Sequence, residues 1–151
     1  MTGLIVATVT LGATTSAFNL IGNLGIRAIS KMTPSYSGAI LAGISSTALF
    51  ILGKVTEDAV IPNNNFNKDE KRGLYVLTIT LIGGATLPYL LSSLTKSTIS
   101  LTASIGYAIL GYTGNHFGFG VLEYFNEDKS FTDSFEEFQE AHLNMWDYLK
   151  S

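Results

Sequence analysis

The sequence predicts an all-α membrane protein: a four-helix transmembrane bundle made of two helical hairpins, followed by a C-terminal amphipathic helix. Four long runs contain no Asp, Glu, Lys or Arg, and each has about the 20 residues that a helix needs to cross a bilayer. Charged residues make up 14% of the chain, against roughly 25% in soluble domains. All nine basic and twelve acidic residues lie outside the four runs, whereas a soluble helix would carry charges along its solvent face.

The 151 residues divide into two predicted parts. Residues 1–125 form the four-span membrane domain, and residues 126–151 form an acidic polar tail. The expected spans are about 3–26, 35–53, 74–95 and 98–122, with the tail helix at about 133–150.

The first span contains two asparagines, Asn19 and Asn23. They are four residues apart and therefore share one face of a helix. We expect them to hydrogen-bond to a neighbouring helix, and the alternative is a polar lining for a pathway. No basic residue precedes Arg27, so the run is expected to be a retained span and not a cleaved signal sequence.

Small residues spaced four apart occur in the second and fourth spans: Gly38 with Ala42, Ala39 with Gly43, and Gly114 with Gly118. Such pairs allow two helix backbones to approach closely in lipid. They predict helix-packing surfaces, either within this chain or between copies in a homo-oligomer.

Two residues of the second hairpin carry further predictions. Pro88 stands near the middle of the third span, where proline removes one backbone hydrogen bond and predicts a kink. The alternative is a broken helix at a binding site. His116 lies late in the fourth span as a polar intramembrane residue. It is expected to be structural, because a lone histidine makes neither a metal site nor a proton relay.

The connections carry the charges. Residues 54–72 mix four basic with four acidic side chains, and we interpret them as a solvated loop. Pro34 is expected in or just before the first turn of the second span. The long loop and the tail hold six Lys or Arg, and the two short loops hold three: Arg27, Lys31 and Lys96. Positive charge accumulates on the cytoplasmic side, so both termini are expected in the cytoplasm.

The tail is predicted to form an amphipathic helix. Its start is expected at residues 132–134, where Asp133 with Glu136, or Ser134 with Glu137, has capping-box spacing. Its apolar face is predicted to dock on protein: Phe135, Phe138, Met145, Trp146 and Leu149. Because the other residues of the helix are mostly acidic, anionic lipid should not attract it. The face is expected to cap its own bundle or to bind a partner.

Several classes of function are excluded. The chain has no cysteine, hence no disulfide or thiolate metal site, and its net charge of −3 gives no reason to expect nucleic acid. There is no Ser/His/Asp grouping, no His/Asp/Glu metal cluster and no phosphate-binding glycine loop. The sequence therefore predicts no enzyme, no cofactor and no metal.

The expected function is a non-catalytic, multi-pass membrane protein acting as a scaffold, accessory subunit or membrane-organising factor. Its partners would be the lipid bilayer, further copies or another membrane protein, and a protein bound by the tail helix. The alternative is an oligomeric channel or small transporter, with Asn19, Asn23, Pro88 and His116 as its candidate features.

The hydropathy profile also carries a resemblance. Two closely spaced hydrophobic hairpins with a short polar tail resemble the bilobed layout of inclusion membrane proteins from obligate intracellular bacteria. The resemblance implies a further alternative, a secreted bacterial membrane protein. Those proteins usually have a polar N-terminal segment, whereas the first span here starts at about residue 3.

Overall fold

The computed structural model describes residues 2–30, 36–94, 99–127 and 130–151. These residues form six α-helices and no β-strand, which confirms the all-α prediction. The helices are α1 (Thr2–Ser30), α2 (Tyr36–Val60), α3 (Lys68–Thr78), α4 (Gly84–Leu91), α5 (Leu101–Glu127) and α6 (Phe131–Lys150). The predictions for Lys31, Pro34 and Lys96 fall outside the described residues.

A π-helical turn at Ile79–Gly83 joins α3 to α4 without a break in the helix. Pro88 lies buried inside α4. Proline has no N–H to donate, and its ring crowds the carbonyl four residues earlier, which here is that of Gly84. The π-helical turn ends at Gly83, directly before Gly84. The chain then continues as an α-helix through Pro88.

Three helical segments of the described chain are long and apolar enough to cross a membrane: Gly3–Gly25, Tyr36–Val60 and Lys68–Leu91. These are features of a membrane protein. The fourth predicted span falls on α5, which is not one of the three. Glycines and polar residues such as Asn115 and His116 lower the hydropathy of this helix.

The helices around the long loop extend beyond the predicted spans, so the connection shrinks to residues 61–67. Lys54 pairs with Glu57 at 3.2 Å on the last turns of α2. Arg72 donates from Nε and Nη2 to the carbonyl of Ile61, at 3.0 and 2.8 Å. Because the last carbonyls of a helix lack partners within it, Arg72 stabilises the end of α2 and ties it to α3.

Glycines set the packing of α1 against α2 and α5. A Cβ on Gly43 would lie 3.0 Å from the Cα of Ser16, and one on Gly114 would lie 3.0 Å from the Cα of Thr15. Further along α5, a Cβ on Gly118 would lie 3.4 Å from the Cα of Leu11. Contacts that advance along α5 move back along α1, so the two helices are antiparallel.

The helix α6 begins two residues before the predicted start. The side chain of Ser130 accepts a hydrogen bond from the backbone N–H of Asp133, and the carboxylate of Asp133 accepts one from the N–H of Ser130. The predicted capping boxes are therefore wrong. Ser130 precedes the first helical residue, where a side chain can reach a free N–H of the first turn.

The tail helix folds back onto the body of the protein. The hydroxyl of Ser134 donates to Glu123 on α5 at 2.8 Å. Farther along, Phe138 contacts His116 on α5, and a Cβ on Gly73 of α3 would meet the side chain of Met145. The helix thus packs on α3 and α5 at the end of the protein that holds residues 54–72, which we call the loop end.

Candidate functional site

A cavity of about 460 Å³ opens at the loop end beneath α6. It is bounded by the last turns of α2, the first turns of α3, the middle of α5 and one side of α6. Its lining combines aromatic, histidine and charged side chains: Phe50, Lys54, Glu57, Asp69, Glu70, Arg72, Gly73, Val76, Tyr112, His116, Glu137, Glu140, Ala141, His142, Asn144 and Met145.

Four rings from α5 and α6 pack together where these helices meet, and we call them the aromatic cluster: Tyr112, His116, Phe138 and His142. All of them except Phe138 line the cavity. The ring centroids of Phe138 and His142 are 4.1 Å apart, and those of Phe138 and His116 are 4.7 Å apart. Tyr112 stands edge-on to His116 at 4.6 Å. Such edge contacts add to the burial of apolar surface, so the cluster holds α6 against α5.

The hydrogen bonds of the cluster fix how His142 is protonated when it is neutral. Its Nδ1 lies 2.6 Å from the backbone carbonyl of Phe138, which can only accept. The proton is therefore on Nδ1, and Nε2 accepts from the hydroxyl of Tyr112 at 2.7 Å. This is a second side-chain hydrogen bond between α5 and α6, beside that from Ser134 to Glu123, and Tyr112 is its donor.

His116 has a different environment. Its Nε2 is buried, and within the described part of the chain it has no hydrogen-bond partner. The ring also packs edge-on against Phe50 of α2 at 5.4 Å. The structural role of His116 stays a prediction, and its buried Nε2 was not foreseen.

The mouth of the cavity is acidic. Five carboxylates and two basic side chains line it. Both basic groups are already paired, Lys54 with Glu57 and Arg72 with Asp58 at 2.6 Å. Among the described residues, no group of three His, Cys, Asp or Glu side chains could hold a metal ion.

A second set of polar residues lies inside the bundle, and we call it the polar layer: Thr15, Asn19, Asn23, Ser46, Tyr107 and Asn115. All six are buried. The hydroxyl of Thr15 donates to Asn115 Oδ1 at 3.0 Å, and Asn115 Nδ2 donates to the hydroxyl of Ser46 at 3.2 Å. Three helices, α1, α5 and α2, are therefore joined through one side chain.

The two predicted asparagines lie in this layer but do not make the predicted bonds. Asn19 Nδ2 donates to the carbonyl of Thr15, on its own helix, at 3.0 Å. Within the described residues, Asn19 Oδ1, both polar atoms of Asn23 and the hydroxyl of Tyr107 lack partners. The prediction of interhelical bonds is therefore wrong for the amide of Asn19, and Asn23 makes no such bond either. The bonds between helices in this layer are made by Thr15, Asn115 and Ser46.

The six predicted packing residues are all buried: Gly38, Ala39, Ala42, Gly43, Gly114 and Gly118. Ala39 and Ala42 belong to an apolar cluster with Ile99 and Tyr107. The partners named for Gly43, Gly114 and Gly118 lie on α1 of the same chain. These surfaces therefore contribute to packing within the protein.

The predicted tail face divides between two surroundings. Met145 is 6% exposed and Phe138 is partly buried, so these side chains pack on the body of the protein. Phe135, Trp146 and Leu149 are 59%, 57% and 60% exposed. The helix therefore uses one edge of its apolar face inside the protein and presents the other outward.

Sequence reasoning did not single out Asn115, Tyr112 or Ser46. A signal for Asn115 was available, since it directly follows Gly114 in the predicted packing surface. For Tyr112 and His142 the sequence offered only their helical spacing from His116 and Phe138, four residues in each case. Nothing in the sequence indicated that these two pairs lie next to each other.

Comparison with protein-family models, with curated proteins and with solved structures finds no match.

Proposed function

We propose that the chain is a four-span integral membrane protein that acts without catalysis, as a scaffold, accessory subunit or membrane-organising factor. In this proposal α1, α2, the continuous segment from α3 to α4, and α5 cross the bilayer. The loop end, the N-terminal end of α1 and α6 face the cytoplasm. The tail helix and the cavity beneath it supply the surface that interacts with a partner.

The observation that carries the proposal is that the uncharged segments of α2, α3 and α5 give way to charged residues at a similar height. Arg72, which is the charged residue of α3 next to its uncharged segment, pairs with Asp58. The charged turns of α3 therefore stand beside the last turns of α2. Phe50 packs against Phe119 at 5.5 Å, one turn before each helix reaches its first charge, Lys54 on α2 and Glu123 on α5. Charged residues therefore begin at a similar height on these three helices, which supports a bilayer boundary at that height.

The dimensions of α5 support its place as the fourth span. Its 27 residues correspond to about 40 Å at the rise of an α-helix, more than the roughly 30 Å of a hydrocarbon core. Residues 101–122 carry no charge. Of its polar side chains, Ser104 and Asn115 are buried, and the exposed Thr113 donates to the carbonyl of Ile109 on its own helix at 3.0 Å, as hydroxyl side chains do in membrane helices.

The nature of the loop end supports an interaction role. The tail helix is held there by a hydrogen bond from Tyr112 and by ring packing, while its outer residues remain exposed. An acidic cavity mouth stands beside it. A partner could therefore contact this acidic lining beside the tail helix.

Alkaline carbonate extraction combined with protease accessibility tests the proposal. We expect the expressed protein to remain in the membrane pellet, with cleavage in residues 61–67 and in the tail from one and the same side. Release into the supernatant, or cleavage of these two segments from opposite sides, would contradict the four-span arrangement.

A specific observation also favours a second candidate, an oligomeric channel or small transporter. The polar layer places partnerless polar atoms of Asn19, Asn23 and Tyr107 inside the bundle. Buried polar groups usually have hydrogen-bond partners, and a hydrated path would supply them. In reconstituted vesicles this candidate predicts ion or solute flux that Asn23→Leu reduces, whereas an absence of flux in the unmodified protein removes it.

A further inference from the structure

The exposed residues of α6 form a coherent surface, the outer edge: Phe135, Leu143, Trp146 and Leu149. All four are more than half exposed. At 3.6 residues per turn, Phe135, Trp146 and Leu149 lie within about 60° of one another around the helix axis. Large apolar side chains grouped in this way on a helix mark a surface that something else covers.

Most acidic residues of α6 lie away from the outer edge, and Glu136, at about 100° from Phe135, borders it beside Leu143. At the same helical spacing, Asp133, Glu140 and Asp147 project at roughly 120–160° from Phe135. Glu137 and Glu140 line the cavity at the loop end. The packed residues Phe138, His142 and Met145 lie beside the outer edge, on the same apolar half of the helix. The helix therefore has an acidic half and an apolar half, and part of the apolar half packs on α3 and α5 while the rest is exposed.

The outer edge continues an apolar ridge on α5. Residues at every fourth position of α5 are exposed: Leu101, Ile105, Ile109, Thr113 and Phe117. Phe117 and Thr113 border a shallow cavity of about 290 Å³ together with Phe135 of α6. One continuous outward surface therefore runs from the uncharged part of α5 onto the tail helix.

The depth of α6 follows from its contacts. Its residues 134–142 lie beside the segment of α5 from Tyr112 to Glu123, and Glu123 is the first charge on that helix. If α5 crosses the bilayer, α6 lies at the level where the hydrocarbon ends. The outer edge then stands at the same depth as Phe117, and the acidic side stands at the depth of Lys54 and Arg72.

Trp146 has the surroundings of an interfacial tryptophan. The ammonium of Lys150 lies 5.1 Å from the centre of its ring and also pairs with Asp147 at 3.3 Å. Indole rings concentrate where the bilayer meets water, because one part of the ring is apolar and its N–H needs a partner. Lysine keeps its charge in water while its stem lies along apolar surface.

From this continuity we propose that α6 is an interfacial helix whose outer edge inserts into the lipid bilayer at the loop end, with its acidic side turned to water. This inference rests on the proposed membrane location and adds that lipid covers the exposed edge of the tail helix. The lipid is zwitterionic, since α6 carries five acidic residues and one lysine and an anionic surface would repel it.

The chain contains a native probe for this inference, because Trp146 is its single tryptophan. The full-length protein is reconstituted into phosphatidylcholine vesicles whose acyl chains carry bromine near the headgroup, which quenches tryptophan in contact with them. We expect loss of most of the emission in these vesicles, an emission maximum shifted to shorter wavelength than in the denatured protein, and protection from aqueous iodide.

A matched variant separates this inference from the proposed function. In a Trp146→Phe background, Ile109→Trp places the probe on the α5 ridge, at a position that is 56% exposed. Because this position is about 21 Å along α5 from Glu123, its vesicles carry bromine near the middle of the acyl chains. If brominated lipid quenches the probe at position 109 but iodide quenches Trp146, the tail faces water and only the inference fails. If lipid quenches neither, the membrane location fails as well.

A third outcome identifies a protein cover. If Trp146 is protected from iodide and also from brominated lipid while the probe at position 109 is quenched by lipid, another protein surface covers the outer edge. With only this chain in the vesicles, that surface is a second copy. This result too would overturn the lipid assignment.

Discussion

Two interfaces in this protein hold helices together by different means. Where α1 meets α2 and α5, glycines bring backbones into contact, and Asn115 bonds to side chains on both neighbouring helices. Where α6 meets the bundle, rings of Tyr112, His116 and Phe138 pack edge-on, and a single side-chain hydrogen bond joins Tyr112 to His142.

The difference teaches how each contact is expected to behave. In lipid no hydrophobic force drives one apolar helix onto another, so close packing and hydrogen bonds between uncharged groups carry helix association. The first interface uses both. The tail helix adds ring contacts and two side-chain hydrogen bonds at the edge of the bundle, and its loss would leave the glycine contacts between α1, α2 and α5 in place. We therefore expect the bundle to persist when the tail detaches.

The strongest way to break the first interface is Gly43→Val. The new side chain would meet the backbone of Ser16, whose Cα lies 3.0 Å and whose N lies 3.1 Å from the position of a Cβ. Because backbone moves less readily than a side-chain tip, we expect a loss of about 3 kcal/mol in the free energy of unfolding. Denaturation in mixed detergent–SDS micelles measures it.

Gly12→Val is the matched control for this change. It makes the same exchange on α1, where a Cβ on Gly12 has no neighbour within 4 Å. It should therefore leave the free energy of unfolding close to that of the unmodified protein. Equal losses in both variants would show that valine itself, and not the close approach of α1 and α2, is responsible.

A smaller effect is expected from the polar layer. Asn115→Leu removes hydrogen bonds to Thr15 and Ser46, and such bonds in membrane bundles contribute from below 1 to almost 2 kcal/mol each. We expect a loss of about 1–2 kcal/mol in the same denaturation experiment, in line with these values.

Asn23→Leu sharpens the comparison, because Asn23 is equally buried and both its polar atoms lack partners in the described residues. Replacing a buried polar group that has no partner by an apolar one removes a desolvation cost. We expect no loss of stability, or a gain. A loss as large as that of Asn115→Leu would mean that Asn23 is hydrogen-bonded in the membrane, for example to water.

The sequence predicted the helical class well because the signal is physical and local. Uncharged runs of bilayer length and small residues four apart indicated helices and their packing faces. The ends of the helices were harder to predict. Arg72 binds the carbonyl of Ile61, so α2 continues through charged residues that looked like a loop. That contact joins residues eleven apart and has no signature in either helix alone.

The site was predicted less well, since it depends on which helices are neighbours. Asn19 and Asn23 were chosen for their residue type, yet Asn115 makes the interhelical bonds because Thr15 and Ser46 face it. Likewise His116 and His142 looked unrelated along the chain, and only the return of α6 onto α5 brings their rings within 5.7 Å. Residue type and spacing along the chain do not predict which of these residues become neighbours in the fold.

The smallest predicted effect tests the tail interface through one atom. Tyr112→Phe removes the hydroxyl that donates to His142 Nε2 and keeps the ring that packs against His116. We expect α6 to detach more readily by about 0.5–1 kcal/mol, measured as faster amide hydrogen exchange in α6, while the unfolding of the bundle is unchanged. Tyr89→Phe, at a largely exposed position on α4, is the control. If exchange in α6 does not change, the ring packing, Met145 and the bond from Ser134 to Glu123 hold the tail without this hydroxyl. If the whole bundle loses stability, the two interfaces are coupled and the contrast between them is wrong.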